Sequence, residues 1–467
     1  MRTLIKNGTV ISAEGASLID VLVDDERVVA LAAGASQLAE DWQAGADRVL
    51  DAAGKYVIPG GVDAHTHMEM PFGGTTAADT FATGTKAAAW GGTTTIIDFA
   101  VQTRGESLQA AFDAWQEKAD GVCAVDYGFH AIFSDVNESS LKEMDVLVDE
   151  GVTSFKLFMA YPGVLYSTDR EIFEAMARAA GNGALIMVHA ENGIAIDAIV
   201  ASALAKGHTD PIYHGLTRPP ELEGEAIHRA IVLAQVAGAP VYIVHVSSIP
   251  GLAAVAEARH RGQNVVAETC PQYLFLSEED LSRPGFEGAK FVCTPPPRPR
   301  QHQAALWSGL RIDDLSVVAT DHCPFTYVGQ KELGRGDFTK IPNGLPSLEN
   351  RMDLIFQGVV TGEISASRWV EVTSTNPAKT FGLYPKKGTI APSSDADIVI
   401  YDPLATQTIS ASTHHMAVDY SCYEGKTVTG HVDTVMSRGR VIIEAGTFTG
   451  TAGHGRYLPR QVCQHLR

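Results

Sequence analysis

Cysteine is scarce, and its spacing excludes two classes of protein. The six cysteines of this 467-residue chain are scattered and form no C-x-x-C pair. Disulfide frameworks belong mainly to small extracellular domains that lack a large core, and cysteine zinc sites need closely spaced pairs. We therefore expect reduced thiols and a cytoplasmic location.

Long apolar runs are also missing. The sequence contains no stretch of about 20 apolar residues, which is the length that crosses a bilayer. The opening residues, MRTLIK, lack the apolar segment of a secretion signal. We expect no transmembrane helix, no signal peptide and no membrane partner.

Positive charge is in short supply. Lys and Arg number 36 against 55 Asp and Glu, which gives a net charge of −19. Binding to a phosphate backbone needs clustered Lys and Arg. The balance therefore argues against a nucleic-acid partner, while the 45% share of hydrophobic residues is ample for a large globular core.

Short strands separated by tight turns occur at both ends of the chain. They include TLIKNGTVIS and VLVDDERVVAL near the start, and GTIAP, ADIVIYD and VDTVMSRGRVIIEAG between residues 387 and 449. Alternating apolar residues around Asn-Gly and similar turns indicate β-hairpins. The pattern predicts one β-domain assembled from both termini.

Between these ends, short apolar runs alternate with longer helical segments. The predicted strands are YVIPGGVDAHTH, TTTIIDFA, DYGFHAIF, VTSFKLFMA, ALIMVHAEN, PVYIVHVSS, NVVAETCP and LSVVATDH. Eight strand–helix units over about 300 residues favour a parallel (β/α)8 barrel of the TIM type over an open sheet. The predicted divisions are 1–55 and 387–450 for the two parts of the β-domain, 56–386 for the barrel, and 451–467 for a tail. We expect the tail to fold over the surface or onto a neighbouring subunit.

Polar side chains recur where the predicted barrel strands end. In a parallel barrel, catalytic groups gather at this rim. A single strand histidine is more often a hydrogen-bonded core residue, but several such residues in register favour a functional site. The candidates are His65, His67, Lys156, His189, His245 and Asp321.

The first strand ends in His65-Thr66-His67. Residues i and i+2 of a strand face the same side, roughly 6–7 Å apart. Two imidazoles can then converge on one ion, and imidazole suits zinc and its neighbours.

Lys156 lies among apolar neighbours in the run FKLFM. One interpretation is a strand lysine whose ammonium reaches water. The other is a neutral or modified lysine inside the barrel, because burial of an ammonium is costly. A neutral amine can add carbon dioxide to give a carbamate, an anion able to bridge two cations.

Asp321 ends the run SVVATD. A carboxylate there can bind a metal and accept a proton from bound water, although an Asp in this position can also cap a turn. His322 and Cys323 are alternative ligands. We favour Asp321 because it is the first charged residue after the apolar run.

Together these segments resemble the hydantoinase and dihydropyrimidinase branch of the cyclic amidohydrolases. The resemblance extends over nearly the whole chain. It includes GGVDAHTHMEMPFGG, GGTTTIIDFA, SFKLFMAY, VHAENG, HVSS, AETCPQYL, TPPPR, DHCPF and GQKELGRGDFTKIPNG.

The resemblance implies a (β/α)8 barrel with a β-sandwich built from both termini, and two divalent metal ions per subunit, with zinc preferred. His65, His67 and Asp321 would bind the more buried ion, and His189 and His245 the outer one. A carboxylated Lys156 (N6-carboxylysine) and a hydroxide would bridge the two.

The resemblance also implies an activity and a set of substrate contacts. The bridging hydroxide would attack the ring carbonyl of a small cyclic ureide, Asp321 would shuttle the proton, and an N-carbamoyl amino acid would result. Tyr161, Thr294 and Asn343 would contact the substrate, and Tyr161 would also assist catalysis. A homotetramer is expected. Pro297 departs from the pattern, since many relatives have Leu there.

Other functions remain open at this point. An allantoinase or dihydroorotase would share the metal centre but not the combination of Tyr161 with KIPNG, and a dihydroorotase also needs a cation for its substrate carboxylate, which we do not identify. A non-catalytic scaffold relative would have lost metal ligands, whereas all six positions here are competent. A metal-storage role would not require a bridging lysine.

Overall fold

The computed structural model describes residues 1–33 and 36–463. The strands are β1 (Arg2–Lys6), β2 (Thr9–Ser12), β3 (Gly15–Asp24), β4 (Arg27–Ala33), β5 (Arg48–Asp51), β6 (Tyr56–Pro59), β7 (Gly61–Thr66), β8 (Pro71–Phe72), β9 (Thr75–Thr76), β10 (Thr93–Val101), β11 (Asp126–Ile132), β12 (Ser154–Phe158), β13 (Leu185–His189), β14 (Val241–Ile243), β15 (Val265–Thr269), β16 (Val317–Val318), β17 (Ile398–Thr408), β18 (Thr427–Ser437), β19 (Arg440–Glu444) and β20 (Thr447–Phe448).

The α-helices are α1 (Gln37–Gly45), α2 (Phe81–Trp90), α3 (Leu108–Ala119), α4 (Glu138–Asp149), α5 (Asp169–Asn182), α6 (Gly193–Ala205), α7 (Ile212–Leu216), α8 (Pro220–Ala237), α9 (Ile249–His260), α10 (Pro271–Phe275), α11 (Glu278–Leu281), α12 (Gln301–Arg311), α13 (Arg351–Val360), α14 (Ala366–Val370) and α15 (Asn376–Thr380). Short 3-10 helices cover Glu287–Phe291, Lys331–Gly334, Phe338–Lys340 and Leu348–Asn350, and a π-helical turn covers Glu371–Thr375. None of the helices in the described part of the chain has the length and apolarity that a bilayer span requires.

Strands from the two ends of the chain form one ten-stranded mixed sheet. Strand β6 lies at the junction, where it runs antiparallel to β17 and parallel to β2. Val21 and Val57 from the first part of the chain pack with Ile398 and Met436 from the last part in one buried cluster. The sheet therefore folds around a shared core, as predicted for a β-domain built from both termini.

The second sheet is an eight-stranded parallel barrel, with β7 and then β10 to β16 following one another in chain order. Helices connect successive strands and cover the outside, as in βαβ units. A parallel bridge between Thr66 and His322 joins the first and last strands, and the backbone N–H of His67 donates to the His322 carbonyl at 2.8 Å. The predicted (β/α)8 barrel is confirmed.

Two predicted strands differ in the structure. YVIPGGVDAHTH is two strands, because the chain passes from the terminal sheet to the barrel at Gly60. A Cβ on Gly60 would lie 2.1 Å from the Thr94 hydroxyl oxygen, so the Thr94 side chain leaves no room for a side chain at residue 60. Residues 388–392, GTIAP, contain no strand. The divisions at 55/56, 386/387 and 450/451 remain predictions.

The tail packs against the end of the barrel opposite the candidate site. The backbone N–H of Leu458 donates to the Tyr127 carbonyl at 2.7 Å, and the guanidinium of Arg460 donates to the Ser154 hydroxyl at 2.9 Å. The tail therefore follows the surface of its own barrel as far as residue 463, and the rest of the predicted tail lies outside the described residues.

Candidate active site

The six candidate ligands lie at one rim of the barrel. His65, Lys156 and His189 belong to strands β7, β12 and β13. The remaining three, His67, His245 and Asp321, follow strands β7, β14 and β16 within three residues. All are buried except Asp321, whose side chain is 14% exposed. The parallel barrel thus brings together residues that are far apart in sequence.

Three of these residues form a compact group. One ligand atom each from His65, His67 and Asp321 lies within 4.8 Å of the others. Asp321 Oδ1 is 3.1 Å from His65 Nε2 and 3.3 Å from His67 Nε2. Lys156 Nζ lies 2.8 Å from the same His65 nitrogen. The donor set of two imidazoles and a carboxylate fits a divalent metal ion.

The other two histidines form a second group beside the first. His189 Nδ1 lies 2.9 Å from His245 Nε2. The His245 ring stacks near the His65 ring, with 5.7 Å between centroids. The two groups therefore share one small volume, with Lys156 against the first group.

Two buried glutamates fix the orientation of the ligand rings. Glu268 accepts from His65 Nδ1, and Glu191 accepts from His189 Nε2 at 2.9 Å. A carboxylate only accepts, so each ring nitrogen facing it carries the proton. The opposite nitrogens, His65 Nε2 and His189 Nδ1, face the other candidate ligands, which is the orientation that metal-binding imidazoles need.

Sequence reasoning did not single out Glu268 or Glu191. A signal for Glu268 was present, because it is a charged residue near the end of the predicted strand NVVAETCP, as the ligands are in their own strands. Glu191 follows His189 by two residues, but nothing in the sequence shows that the two side chains meet.

Burial and neighbouring charges set the protonation of the group. Burial lowers the pKa of Lys156 to about 8. Burial also lowers the pKa of His67 to about 3, although Asp321 opposes this shift. Burial alone would raise the pKa of Asp321, but His65 and His67 outweigh it and hold this pKa well below its usual range. Near neutral pH the site holds a neutral His67, a carboxylate at Asp321 and an amine that loses its proton readily.

Three site residues adopt left-handed backbone conformations. The φ angles are 61° at Tyr161, 41° at His245 and 52° at Asp321. Such conformations cost a non-glycine residue about 1–3 kcal/mol and persist only where the surroundings enforce them. The barrel rim enforces the positions of these three side chains at a cost in backbone energy.

The predicted substrate contacts line the same pocket as the ligands. Tyr161, Thr294 and Asn343 lie around it together with His67, Lys156, His189, His245 and Asp321. Burial raises the pKa of the Tyr161 hydroxyl, and polar contacts with Thr294 and Asn343 oppose the rise. Its hydroxyl is therefore neutral and can donate a hydrogen bond within the pocket that the ligand group lines.

The two alternative ligands considered beside Asp321 lie in different surroundings. His322 Nε2 is 3.0 Å from Asp79, and its Nδ1 accepts the Ser347 N–H at 3.2 Å. Both ring nitrogens of His322 are thus occupied away from the histidine cluster. Cys323 lines the pocket, but burial raises the pKa of its thiol and disfavours the thiolate. Asp321 is the residue of the three that meets His65 and His67.

Comparison with known proteins places the chain in a family. The profile described as "Amidohydrolase family" matches residues 56–442. A D-hydantoinase of Streptomyces coelicolor is 63% identical over 465 residues, covering 100% of this chain and 99% of the relative. A D-hydantoinase of Geobacillus stearothermophilus is 49% identical, covering 98% and 97%.

Solved structures agree with the sequence matches. The crystal structure of a dihydropyrimidinase from Brevibacillus agri superposes with a TM-score of 0.96 at 51% identity, covering 99% of each chain. An L-hydantoinase from Arthrobacter aurescens superposes with a TM-score of 0.88 at 32% identity, covering 98% of this chain and 99% of that one. The chain therefore belongs to the amidohydrolase family and, within it, to the hydantoinase and dihydropyrimidinase group of cyclic amidohydrolases.

Proposed function

We propose that this protein hydrolyses the cyclic amide bond of hydantoins or dihydropyrimidines and releases N-carbamoyl amino acids. Water adds across the ring C–N bond, so the carbonyl carbon becomes a carboxylate and the ring nitrogen takes up a proton. The observation that carries the proposal is the shared pocket, in which the ligand group meets Tyr161, Thr294 and Asn343. The relatives named hydantoinase and dihydropyrimidinase support it.

The ligand group would hold two divalent cations. Zinc is the preferred ion, because imidazole and carboxylate ligands suit it. His65, His67 and Asp321 would hold one cation, and His189 and His245 the other, with Lys156 between them. When bound, such ions ionise a water near neutral pH and polarise a carbonyl oxygen. The orientation of His65 Nε2 and His189 Nδ1 towards the other ligands supports this role.

Lys156 would join the two ions as a carbamate. The ammonium would first lose one proton. The neutral amine nitrogen would then attack carbon dioxide, form an N–C bond and release a second proton, so that a cation at neutral pH becomes an anion. A pKa of about 8 leaves a usable fraction of the amine neutral for this reaction. The carbamate would also replace a positive charge beside His65 with a negative one.

Asp321 would act as the proton carrier. Its low pKa keeps it ionised and able to accept the proton of the attacking water. It would then deliver that proton to the leaving ring nitrogen, which completes the balance of the reaction. Tyr161 would donate a hydrogen bond to the oxyanion as the ring carbonyl becomes tetrahedral.

Backbone groups of Thr294 and Asn343 would bind the ring. Both residues lie outside regular secondary structure, where backbone N–H and C=O groups can remain available to a ligand. A cyclic ureide presents N–H donors and carbonyl acceptors in one plane, which such groups can match.

A substrate panel tests the proposal. The purified, metal-loaded protein would be assayed with hydantoin, both enantiomers of a 5-substituted hydantoin, dihydrouracil, allantoin and dihydroorotate. We expect turnover of hydantoins or dihydrouracil, and loss of that turnover in Asp321→Asn. Turnover of allantoin or dihydroorotate alone would assign the protein to another cyclic amidohydrolase, and a metal-free, inactive protein would indicate a scaffold.

Two further properties form part of the proposal. The family resemblance supports a homotetramer, which light scattering of the purified protein would test. Five buried cysteines with free thiols support a reducing cytoplasmic location, which fractionation of the source cells would test.

A further inference from the structure

Lys331 is a fully buried lysine whose ammonium group contacts backbone oxygens. Its side chain leaves the 3-10 helix Lys331–Gly334 and has 0% exposure. Lys331 Nζ donates to the carbonyls of Val292 at 2.8 Å, Pro342 at 2.7 Å and Gly344 at 2.8 Å. An ammonium has three donors, and here each has an acceptor.

No carboxylate within the described ranges pairs with this ammonium at 4 Å or less. Its ionisable neighbours are the thiols of Cys422, Cys293 and Cys323, and burial lowers the pKa of Lys331 to about 8. Burial raises the pKa of Cys422 to about 12, so this thiol is neutral. An unpaired buried charge is expensive, and an apolar side chain would avoid that cost. The three hydrogen bonds are what a lysine adds at this position.

The three acceptor carbonyls belong to the two loops that carry the substrate contacts. Val292 lies two residues before Thr294, while Pro342 and Gly344 flank Asn343. The loops also touch directly, since the Gly344 N–H donates to the Val292 carbonyl at 3.0 Å. The ammonium of Lys331 therefore joins the Thr294 loop to the Asn343 loop.

Gly344 packs closely against the backbone of Cys323. Its φ is 150°, and a Cβ there would lie 2.1 Å from the carbonyl oxygen of Cys323. The loop is tightly packed against Cys323, whose N–H also donates to the Leu345 carbonyl at 3.3 Å. Lys331 itself is not among the residues that line the pocket.

We propose that Lys331 is a positioning residue for ring recognition, because it fixes the distance between the backbone groups of Thr294 and Asn343. This inference rests on the proposed function, in which those groups bind the ring. Lys331 acts through the two loops and touches neither the ring nor the reacting atoms.

The first test measures the loops without using activity. Lys331→Met keeps an unbranched side chain of nearly the same length and removes all three hydrogen-bond donors. Lys340→Met is the matched control, because Lys340 lies in the same segment but its side chain is 70% exposed and pairs only with Asp337. In hydrogen–deuterium exchange of the holoenzyme, we expect amides of residues 341–345 to exchange at least about tenfold faster in Lys331→Met, and at the wild-type rate in the control.

The second test separates binding from chemistry. We expect Lys331→Met to raise KM for hydantoin and dihydrouracil by about 10–100-fold, the range for loss of a hydrogen bond to a charged group. Turnover at saturation and metal content should stay near wild type, since uniform binding affects KM alone. Lys331→Gln keeps two hydrogen-bond donors, so its KM should lie between those of wild type and Lys331→Met. It replaces the methionine variant if that variant does not fold.

The outcomes are distinct. Faster loop exchange with a raised KM and preserved metal content supports the positioning role. Unchanged exchange, a lower melting temperature with unchanged KM, or failure of both variants to fold overturns it. A wild-type protein that hydrolyses no cyclic ureide overturns the proposed function and the ring role together, and exchange still measures the junction by itself.

Discussion

The amine nitrogen of Lys156 lies 2.8 Å from Nε2 of His65, in the interior of the barrel. The same His65 nitrogen is 3.1 Å from Asp321, while the opposite ring nitrogen is held by Glu268. An imidazole nitrogen, a carboxylate and a readily deprotonated amine thus converge on one point. This arrangement gives the lysine a chemical role that its apolar strand alone would not require.

Replacing Lys156 tests that role. We expect Lys156→Ala to lose most bound metal and nearly all activity, with partial recovery on addition of a small carboxylic acid that occupies the place of the carbamate. Native mass spectrometry of the wild type should show the added mass of carbon dioxide, and elemental analysis about two metal ions per chain. Lys142→Ala, at an exposed lysine, is the control. A fully active Lys156→Ala protein would exclude the carbamate.

Asp321→Asn keeps the size of the side chain and removes the proton acceptor. We expect turnover to fall by about 10²–10⁴-fold, the usual contribution of general acid–base catalysis, while substrate still binds. Steady-state kinetics and calorimetric titration with substrate, both at measured metal content, check this. Near-normal turnover with the metals in place would assign proton transfer to another group.

Tyr161→Phe removes the proposed donor to the oxyanion. We expect turnover to fall by about 10²–10³-fold with metal content intact, and to fall alike for hydantoin and dihydrouracil, because both rings pass through the same tetrahedral carbon. Steady-state turnover of wild type and Tyr161→Phe, measured with each of the two substrates, makes this comparison. A loss confined to one ring would mean that Tyr161 shapes the pocket instead.

Glu268→Gln tests the orientation of a ligand ring. Glu268 accepts from His65 Nδ1 and also from the Tyr242 hydroxyl at 2.6 Å. A glutamine can present an N–H to His65 and disturb its tautomer, so we expect metal affinity to fall by about 10–100-fold. Competition with a chelator measures the affinity directly. Glu257→Gln, on the exposed face of α9, should match wild type.

His431 predicts a pH-dependent contribution to stability. Burial disfavours its protonation, but the hydrogen bond to Asp353 at 2.8 Å and the negative charges of Asp353, Glu349 and Asp433 together outweigh burial and raise the pKa of His431 above 6.5. The contribution is therefore present below about pH 6.5 and is lost as the pH rises through the raised pKa.

The corresponding measurement is thermal unfolding of wild type and His431→Gln at acidic and alkaline pH. The side chain is 39% exposed, so solvent screening limits the difference to under about 1 kcal/mol. The stability difference between wild type and His431→Gln should be larger at pH 5.5 than at pH 8.5, with wild type the more stable. His260→Gln, at a histidine whose side chain is 71% exposed, is the control, and an advantage that grows with pH would contradict the assignment.

The barrel and the candidate ligands were accessible from the sequence because they follow simple periodicities. Apolar strands alternating with amphipathic helices predict parallel units, and the first polar residues after each strand predict the rim. His65, His67, Lys156 and Asp321 were identified in this way, and the structure brings them together. The roles of Tyr161, Thr294 and Asn343 came from family resemblance, since no local pattern marks a loop residue as a ring contact.

What the sequence did not reveal depends on contacts between distant residues. Lys331 resembles any loop lysine until three carbonyls from two other loops surround its ammonium. The change of sheet at Gly60 was missed because YVIPGGVDAHTH continues its apolar pattern through the break. Only the nearness of Thr94, a residue on the adjacent strand, shows why a glycine is needed there.

The terminal sheet has a consequence for synthesis on the ribosome. Strand β6 pairs with β17, yet the whole barrel is encoded between them. At roughly 5–20 residues per second, translation of the barrel takes tens of seconds. During that interval the early strands can pair among themselves, but β6 presents an open edge to the cell. Nascent chains of this protein should therefore need a chaperone or the ribosome surface to shield that edge until Ile398–Thr408 emerges.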